Sequence, residues 1–286
     1  MVRRVLIGSL IFLFGICLYF YPWFADAWNS YRSLQLIQQS VVIPLEKESI
    51  DYDSLINDAD AYNQELVNHT IQMITIKSYE EGDDVYESLL NVDNSGLMGY
   101  IEIPRLQEKL PIYHYSNDNT LSKGVGHIHG STLPVGGENR NAMLTGHCGL
   151  PNQKLFTDLD KLVLGDVFYI GIYDRVLAYS IADISVILPD DVDDLVVEDG
   201  RDSVTLITCT PYGVNTHRLI VRGDRVPYDE AVKVDADMAG KIEVIKDKIT
   251  FMNALVTLLI IYFTWLLIWF IRYLMKHSKD KKGGPD

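Results

Sequence analysis

The chain has 286 residues, of which 48% are hydrophobic, and it carries a formal net charge of −14. This length and apolar content suffice for one sizeable domain with flanking segments. An acidic surface repels phosphate backbones, which argues against a role in binding DNA or RNA. Three cysteines are too few for a disulfide-stabilised scaffold, so the thiols need another explanation.

The chain carries a long apolar run near each end. Val5–Tyr21 follows Arg3 and Arg4, and Phe251–Ile271 contains no charged residue. Each run is near the length that spans a hydrocarbon core about 30 Å thick. Basic residues flank both runs on their outer sides, which predicts that both termini are cytoplasmic and that the middle of the chain is exported.

The first run also has features of a secretory signal. The sequence Ala25-Asp26-Ala27 offers small residues in the arrangement that a signal peptidase cleaves. The bulk of Trp23 and Phe24 favours an uncleaved anchor instead. Under either alternative, the residues between the two runs are exported.

Composition changes along the chain predict its organisation. Residues 23–67 carry apolar positions at helical spacing and predict two helices separated by Pro44. Residues 68–95 combine a β-branched apolar patch with an acidic turn and predict a surface flap. The flanking segments are residues 1–22 (membrane anchor or signal), 229–249 (juxtamembrane linker), 250–272 (C-terminal transmembrane helix) and 273–286 (basic cytoplasmic tail).

The segment 96–228 alternates short β-rich runs with Gly, Pro, Asn and Asp. This pattern predicts a mainly β fold, an antiparallel barrel that is closed or nearly closed. A short helical turn is expected at Leu155–Leu162. The predicted strands are Tyr100–Ile103, Pro111–Tyr115, Ala142–Thr145, Val167–Tyr173, Ala178–Leu188, Val204–Cys209 and Arg218–Val221.

A thiol and a cation stand on either side of one predicted hairpin. Cys209 ends an apolar β-branched run, a loop of Pro, Gly and Asn follows, and Arg218 opens the next run. Antiparallel neighbours place residues on either side of such a loop opposite one another. A nucleophile and a fixed positive charge would then share one site.

A cysteine nucleophile also needs a group that protonates the leaving amine. Among the seven histidines, His147 is the best candidate, because glycines in LTGHCGL let the backbone turn and expose its ring. His127 and His129 alternate along GVGHIHG and could chelate a metal, but no neighbouring thiol or carboxylate completes a ligand set, so no metal is expected. No glycine-rich phosphate loop is visible, and no cofactor is predicted.

The TLITC run and the downstream Arg218 resemble the signature of sortases. The fuller TLITCTPYGVNTHRLIVRG is similar to the class C group, which polymerises pilins. The resemblance extends over about residues 50–228 through MGYIEIP, LPIYH, GVGHIHGSTLPVGG, LTGHCGLP and KLFTDLDKLVLGD.

This resemblance implies an eight-stranded β-barrel transpeptidase with N-terminal helices and flanking transmembrane helices, held on the extracellular face of a Gram-positive cell membrane. It implies that Cys209 attacks the Thr–Gly bond of a Leu-Pro-x-Thr-Gly-like sorting signal on a pilin subunit. A lysine amine of the next pilin would then resolve the thioacyl intermediate.

The same resemblance assigns roles to single residues. His147 would protonate the departing glycine amine and later accept a proton from the lysine, while Arg218 would stabilise the oxyanion or hold the substrate backbone. Thr208 would orient Arg218 or line the substrate pocket. Two alternatives stay open: a related enzyme that anchors proteins to peptidoglycan, and a non-catalytic exported binding module with a structural thiol.

The sequence departs from the class C pattern in two places. Class C sortases typically carry an Asp-Pro-aromatic motif in a lid over the cleft, whereas residues 68–95 contain no proline, which predicts a more open site. Cys148 directly follows His147, where Arg or Asn is commoner. Because neighbouring strand residues point to opposite faces, Cys148 is expected to pack away from the site. The alternative is an oxidative disulfide with Cys209 that silences the enzyme.

Overall fold

Eight strands form one closed barrel in this computed structural model. The model describes residues 2–39, 50–68, 82–189, 191 and 200–228, with some helical residues between 250 and 272. The barrel order is β1-β2-β3-β4-β7-β8-β6-β5. The strands are β1 (Leu97–Ile103), β2 (Glu108–His114), β3 (Val125–His127), β4 (Arg140–Thr145), β5 (Val167–Ile172), β6 (Arg175–Ile187), β7 (Asp202–Thr210) and β8 (His217–Val226).

The predicted barrel is confirmed, although its pairing is not wholly antiparallel. β2 pairs with β3 in parallel, and β4 pairs with β7 in parallel. Parallel neighbours require a crossover connection rather than a tight hairpin. Between β2 and β3 that connection includes the short helix Asp118–Leu121, and between β4 and β7 it includes the β5–β6 hairpin.

Alternating side chains divide the strands between two apolar clusters. On β7, Val204 and Leu206 belong to the main core, whereas Ile207 belongs to a second, smaller cluster. Successive residues of a strand point to opposite faces, so the second cluster lies on the face of the sheet turned away from the main core. This face also carries Cys209, which is two residues beyond Ile207.

Among the described residues, four helices with defined bounds accompany the barrel, and the first is the longest. They are α1 (Val2–Ile37), α2 (Tyr52–Asn68), α3 (Asp84–Ser88) and α4 (Asp118–Leu121). In the part of the chain that the structure describes, one helix is long and apolar enough to cross a membrane, and it is Leu10–Ile37 within α1. Residues on both sides of the expected division at 22/23 therefore belong to the same helix, which continues through Pro22.

The helices α1 and α2 bury apolar side chains against the domain. In α1 these are Ala27, Leu34 and Ile37, and in α2 they are Ile56 and Ala59. The amide side chain of Asn63 in α2 also donates to the carbonyl oxygen of Leu133 and accepts from its backbone amide, at 2.9 and 2.7 Å. The break at Pro44, the flap residues 69–81 and the linker 229–249 lie outside the described residues.

Candidate active site

Strand register brings the three predicted catalytic residues to one place. Cys209 pairs directly with Arg218 across β7 and β8. On the other side of β7, Thr145 of β4 pairs with Ile207, and the amide of Gly146 continues the ladder to the carbonyl of Ile207 at 3.1 Å. His147 and Cys209, each two residues further on, therefore come level on the same face.

The side chains of His147, Cys209 and Arg218 are half-buried, and their functional groups form few hydrogen bonds. The guanidinium of Arg218 donates to the backbone carbonyls of His217 and Asn215, at 3.1 and 3.4 Å. Within the described ranges, no hydrogen bond engages the thiol of Cys209 or the imidazole of His147. Within those ranges, a substrate would break no hydrogen bond of the Cys209 thiol or the His147 imidazole.

The turn that carries His147 is held by close packing and by two hydrogen bonds. A Cβ on Gly146 would lie 2.9 Å from the ring of Phe156, so only glycine fits there without a shift. The amide of Phe156 donates to the carbonyl of His147 at 3.2 Å. The amide of Gly149 donates to the hydroxyl of Thr157 at 3.0 Å. These contacts fix the backbone that presents the imidazole.

Thr208 supports this turn from the opposite face of β7. Its side chain is buried, and its hydroxyl donates to the carbonyl oxygen of Gly146 at 2.8 Å. Because Thr208 and Cys209 are neighbours in a strand, their side chains point in opposite directions. The geometry favours a role in fastening β7 to the His147 turn, and a substrate contact by Thr208 stays a prediction.

An apolar floor adjoins Cys209 on its own face of the sheet. Its members are the buried residues of the second cluster, Ile128, Met143, Ile187, Ile207 and Ile220. The strand register places this floor beside the predicted catalytic residues, because Ile187 of β6 pairs with Arg218 of β8. These members are at most 5% exposed, so they pack beneath the site and do not themselves present surface to a substrate.

Cys148, the neighbour of His147 in the chain, has a half-buried side chain. Burial raises the pKa of the Cys148 thiol, and the charges of Cys209, Asp160 and Asp158 raise it further. Cys148 therefore retains its proton more strongly than an ordinary cysteine. Both Cys148 and Cys209 are free thiols in the structure, and the face to which Cys148 points stays a prediction.

His127 and His129 each have protein partners. The Nδ1 atom of His127 lies 2.8 Å from the hydroxyl of Tyr86, and its Nε2 atom lies 2.9 Å from the carbonyl oxygen of Thr132. His129 pairs with Asp83 at 3.0 Å. Within the described ranges, no group of three or more His, Cys, Asp or Glu side chains could hold a metal ion.

Tyr86 is a structural residue that sequence reasoning missed. It is fully buried in α3, and its hydroxyl contacts His127 as well as the amide of Tyr115. His114 approaches the carbonyls of Tyr86 and Leu89, at 3.1 and 2.9 Å. The described part of the flap is thus anchored where β2 and β3 end. Among the described residues, no hydrogen bond or ion pair joins residues 82–95 to Cys209, and because residues 69–81 lie outside them the open site stays a prediction.

Comparison with known proteins agrees with this geometry. The Sortase domain family model matches residues 101–226. The crystal structure of sortase C1 from Streptococcus agalactiae is 40% identical, with a TM-score of 0.64 over 68% of this chain and 100% of that chain. Sortase C from Streptococcus pneumoniae, whose structure is described as informing pilin substrate specificity, is 36% identical, with a TM-score of 0.61 over 68% of this chain and 97% of that chain.

A curated relative shows the same similarity at the level of sequence. Sortase A from Bacillus anthracis is 28% identical over 159 residues, which is 55% of this chain and 73% of the relative. A closed eight-stranded barrel, a cysteine and an arginine paired across β7 and β8, and a histidine level with them fit these similarities. The chain belongs to the sortase family of cysteine transpeptidases, and its structural neighbours include class C enzymes.

Proposed function

We propose that this enzyme polymerises pilin subunits at the outer face of the cell membrane. It cleaves a Leu-Pro-x-Thr-Gly-like sorting signal between Thr and Gly and joins the threonine carbonyl to a lysine amine of the next pilin. The observation that carries the proposal is the row formed by His147, Cys209 and Arg218 beside an apolar floor. The similarity to class C sortases supports pilin as the substrate class.

The first half-reaction forms a thioester. The sulfur of Cys209 attacks the threonine carbonyl carbon, and the carbonyl electrons move to the oxygen, where the guanidinium of Arg218 stabilises the developing charge. As the tetrahedral species collapses, the C–N bond breaks and the imidazolium of His147 gives its proton to the departing glycine amine. The leaving fragment carries away the rest of the sorting signal.

The second half-reaction transfers the acyl group to an amine. A neutral lysine amine attacks the thioester carbonyl, and His147, now neutral, accepts the proton that the nitrogen loses. The C–S bond breaks, the thiolate of Cys209 returns, and an isopeptide bond links two subunits. The open hydrogen-bonding capacity of the His147 imidazole supports this exchange of a proton with two successive amines.

The location of the enzyme follows from its apolar helix. Leu10–Ile37 in α1 is long and apolar enough to serve as a membrane anchor, and α1 continues without interruption into the part that packs on the domain. In this proposal α1 stays attached, the catalytic barrel faces the exterior, and the C-terminal apolar run forms a second anchor. Substrates with their own membrane tails would then meet the enzyme at the same surface.

Trapping the acyl-enzyme tests the chemistry directly. Incubation of the full chain with a Leu-Pro-x-Thr-Gly peptide should add the mass of the peptide up to threonine to Cys209, and hydroxylamine should release it. A Cys209→Ala variant is the matched control and should gain no mass. An adduct at another residue, or none with any sorting peptide, would contradict the proposal.

A second candidate, anchoring of surface proteins to peptidoglycan, is favoured by the similarity to a sortase A. The two functions differ in the amine that resolves the thioester. Incubation of the enzyme with whole pilin should give a ladder of covalent polymers that resists boiling in detergent. Transfer to a wall-precursor amine without any ladder would support the second candidate instead.

A further inference from the structure

The His147 turn is connected to the membrane helix by a continuous series of polar contacts. The carboxylate of Asp26 in α1 accepts from the amide of Lys154 at 3.1 Å. The side-chain amide of Asn29 donates to the carbonyl oxygen of Asn152 at 3.0 Å. Residues three apart lie on the same side of a helix, so Asp26 and Asn29 act together on one short loop.

This loop leads directly back to the catalytic histidine. Phe156, two residues after Lys154, donates its amide to the carbonyl of His147 at 3.2 Å. Thr157 accepts from the amide of Gly149 on the other side of the turn at 3.0 Å. A displacement of the loop at 152–154 would therefore also displace the backbone around His147.

The loop holds a conformation that its sequence would not adopt unaided. Leu155 lies between the contacts with α1 and those with the histidine turn, and its φ angle is 44°. A left-handed conformation is unfavourable for a residue with a Cβ and persists where its surroundings enforce it. Leu155 is nevertheless buried, with 3% of its surface exposed. The contacts on both sides of Leu155 are therefore suited to enforce this geometry.

The helix is itself firmly placed against the domain. Ala27, Leu34 and Ile37 of α1 are all buried, with exposed fractions of 8%, 3% and 0%. Their burial surrounds the polar contacts with an apolar docking face, so the end of α1 that carries Asp26 and Asn29 is fixed relative to the barrel. The position of α1 then determines the position of the loop.

We propose that Asp26 and Asn29 are positioning residues of the transpeptidase, which hold the loop 152–154 and through it the orientation of His147. The inference rests on the proposed role of His147 as general acid and base. It has a consequence for processing, because cleavage after Ala27 would remove Asp26 from the enzyme. The membrane helix is therefore a working part of the catalytic domain, and an uncleaved chain is the active form.

Three variants of the full chain in detergent micelles test whether the contacts of Asp26 and Asn29 orient His147 or merely attach α1 to the domain. Asp26→Ala removes the acceptor, and Asn29→Asp keeps the shape but turns an oxygen toward the carbonyl of Asn152. Asp26→Asn retains an acceptor oxygen and should restore parental behaviour. Gln35→Ala is the matched control, because among the described residues the exposed Gln35 side chain bonds to Tyr31 of the same helix and not to the loop.

Two readouts are measured for each variant. The first is the pH profile of Cys209 alkylation by iodoacetamide, followed by peptide mass, which reports the relation of His147 to the thiol without any substrate. The second is the kcat and KM of acyl transfer. We expect Asp26→Ala and Asn29→Asp to shift the midpoint of the alkylation profile and to lower kcat by about tenfold, with KM unchanged, since small misplacements of a catalytic group slow the chemical step.

Parental alkylation profiles and kcat in both variants would overturn the inference. An equal loss in Gln35→Ala, or no recovery in Asp26→Asn, would also overturn it, because the effect would then not depend on the loop contacts. Failure of the proposed function is distinguishable from these outcomes. In that case the parent would form no acyl-enzyme with sorting peptides, while the alkylation profiles would still report whether α1 controls the geometry at His147.

Discussion

The positive charge at Arg218 is held in place by the backbone and not by a carboxylate. Its guanidinium donates to two carbonyl oxygens at the tip of the β7–β8 hairpin, and in the described ranges it has no ion pair with an acidic side chain. Such a cation keeps its charge available for an oxygen that becomes negative in the transition state. In the proposed mechanism the hairpin thus supplies both the nucleophile and the group that stabilises the product of its attack.

Replacing Arg218 by lysine tests whether acylation needs the paired donors of the planar guanidinium in addition to its charge. Arg218→Lys should lower the rate of acylation of Cys209 by about 100-fold, because a lysine ammonium cannot reproduce paired, directed hydrogen bonds. Single-turnover reactions that are stopped at set times and analysed by the mass of the enzyme give this rate. Arg175→Lys, at an exposed pair with Asp53, is the control and should acylate at the parental rate. Full activity of Arg218→Lys would mean that charge alone suffices.

The second thiol, Cys148, is expected to be a packing residue and not a redox partner. Its raised pKa leaves little thiolate at neutral pH, and the thiolate is the reactive form. Cys148→Ala should therefore keep parental activity and parental sensitivity to hydrogen peroxide. Peptide mapping after peroxide treatment checks this, with Cys17→Ala as control. A Cys148–Cys209 linked peptide in the parent, absent from Cys148→Ala, would support the silencing disulfide instead.

Sequence reasoning could predict that Cys209 and Arg218 lie side by side, but not all of their surroundings. Cys209 and Arg218 flank a short hairpin loop, so local pairing alone brings them together. The glycine-rich turn singled out His147, but its position beside Cys209 was not predictable from the residues alone, because it depends on the parallel pairing of β4 with β7, which are far apart in the chain. The coupling of Cys148 to Cys209 likewise depends on this pairing and on a turn that strand alternation does not describe.

At the scale of elements, the flap is anchored by a buried aromatic and histidine cluster. Tyr86 packs edge-on against His114 and Tyr115, with ring centroids 4.8 and 5.1 Å apart. Tyr86→Phe would leave a buried histidine nitrogen without its hydroxyl partner, at a cost of about 1–3 kcal/mol. We expect a lower midpoint of thermal unfolding and faster amide exchange in residues 82–95.

The control for this prediction is Tyr31→Phe. The hydroxyl of Tyr31 accepts only from Gln35 on an exposed surface, so its loss should hardly change unfolding. If Tyr86→Phe exchanges amides in residues 82–95 at the parental rate, the hydroxyl does not anchor the flap. An equal loss of stability in both variants would also contradict the prediction.

The same cluster predicts how stability depends on pH. Burial lowers the pKa of His127 from 6.5 to about 3, so the folded protein keeps this ring neutral while the unfolded chain becomes protonated below pH 6.5. The unfolded state then binds more protons, and stability is lost as pH falls from about 6.5 toward 3. At pH 5 this amounts to about 2 kcal/mol, from 1.4 kcal/mol for each pH unit.

Two measurements check the pH prediction. The free energy of unfolding in urea should fall between pH 7 and pH 5, and burial lowers the pKa of His114 as well, so that residue adds a loss of the same sign. The NMR signal of the His127 ring should show no titration between pH 8 and pH 5. A midpoint near 6.5 for that signal, or constant stability over this range, would contradict the assignment.

Most of the strands were predictable from local patterns, because seven of them are β-rich runs bounded by turn residues. β3 was not, since its three residues, Val125–His127, include a glycine and read as part of a loop. The short helical turn expected at Leu155–Leu162 is present as a single 3-10 turn at Leu159–Lys161. Pairing direction was not predictable, because it depends on where the crossover connections lead.

At the scale of the whole molecule, the proposed membrane anchor and the net negative charge both affect how the enzyme encounters its lysine acceptor. The chain has a formal net charge of −14, although basic residues flank its apolar ends, so the segment between these ends is more acidic than the whole. The proposed acceptor is a lysine, which is positively charged until it loses its proton. A negative surface field raises the local concentration of such a group and the rate of productive encounters.

Salt should therefore affect the two half-reactions differently. Raising the salt concentration from 50 to 500 mM shortens the Debye length from about 14 to about 4 Å, which weakens attraction between the acidic surface and a lysine-bearing acceptor. We expect kcat/KM for the lysine acceptor to fall about two- to fivefold. Acylation of Cys209 by a sorting peptide without net charge should stay constant, because no long-range charge assists it.

The comparison uses one enzyme preparation and separates the steps by order of addition. Acyl-enzyme is formed first at low salt and then divided among salt concentrations with a fixed amount of lysine acceptor, so only the second step experiences the change. A neutral amine acceptor serves as the matched control. If both acceptors respond alike, salt acts on the enzyme and not on the encounter. If neither responds, the acidic surface has no part in selecting the acceptor, and the apolar floor and the site itself determine the rate.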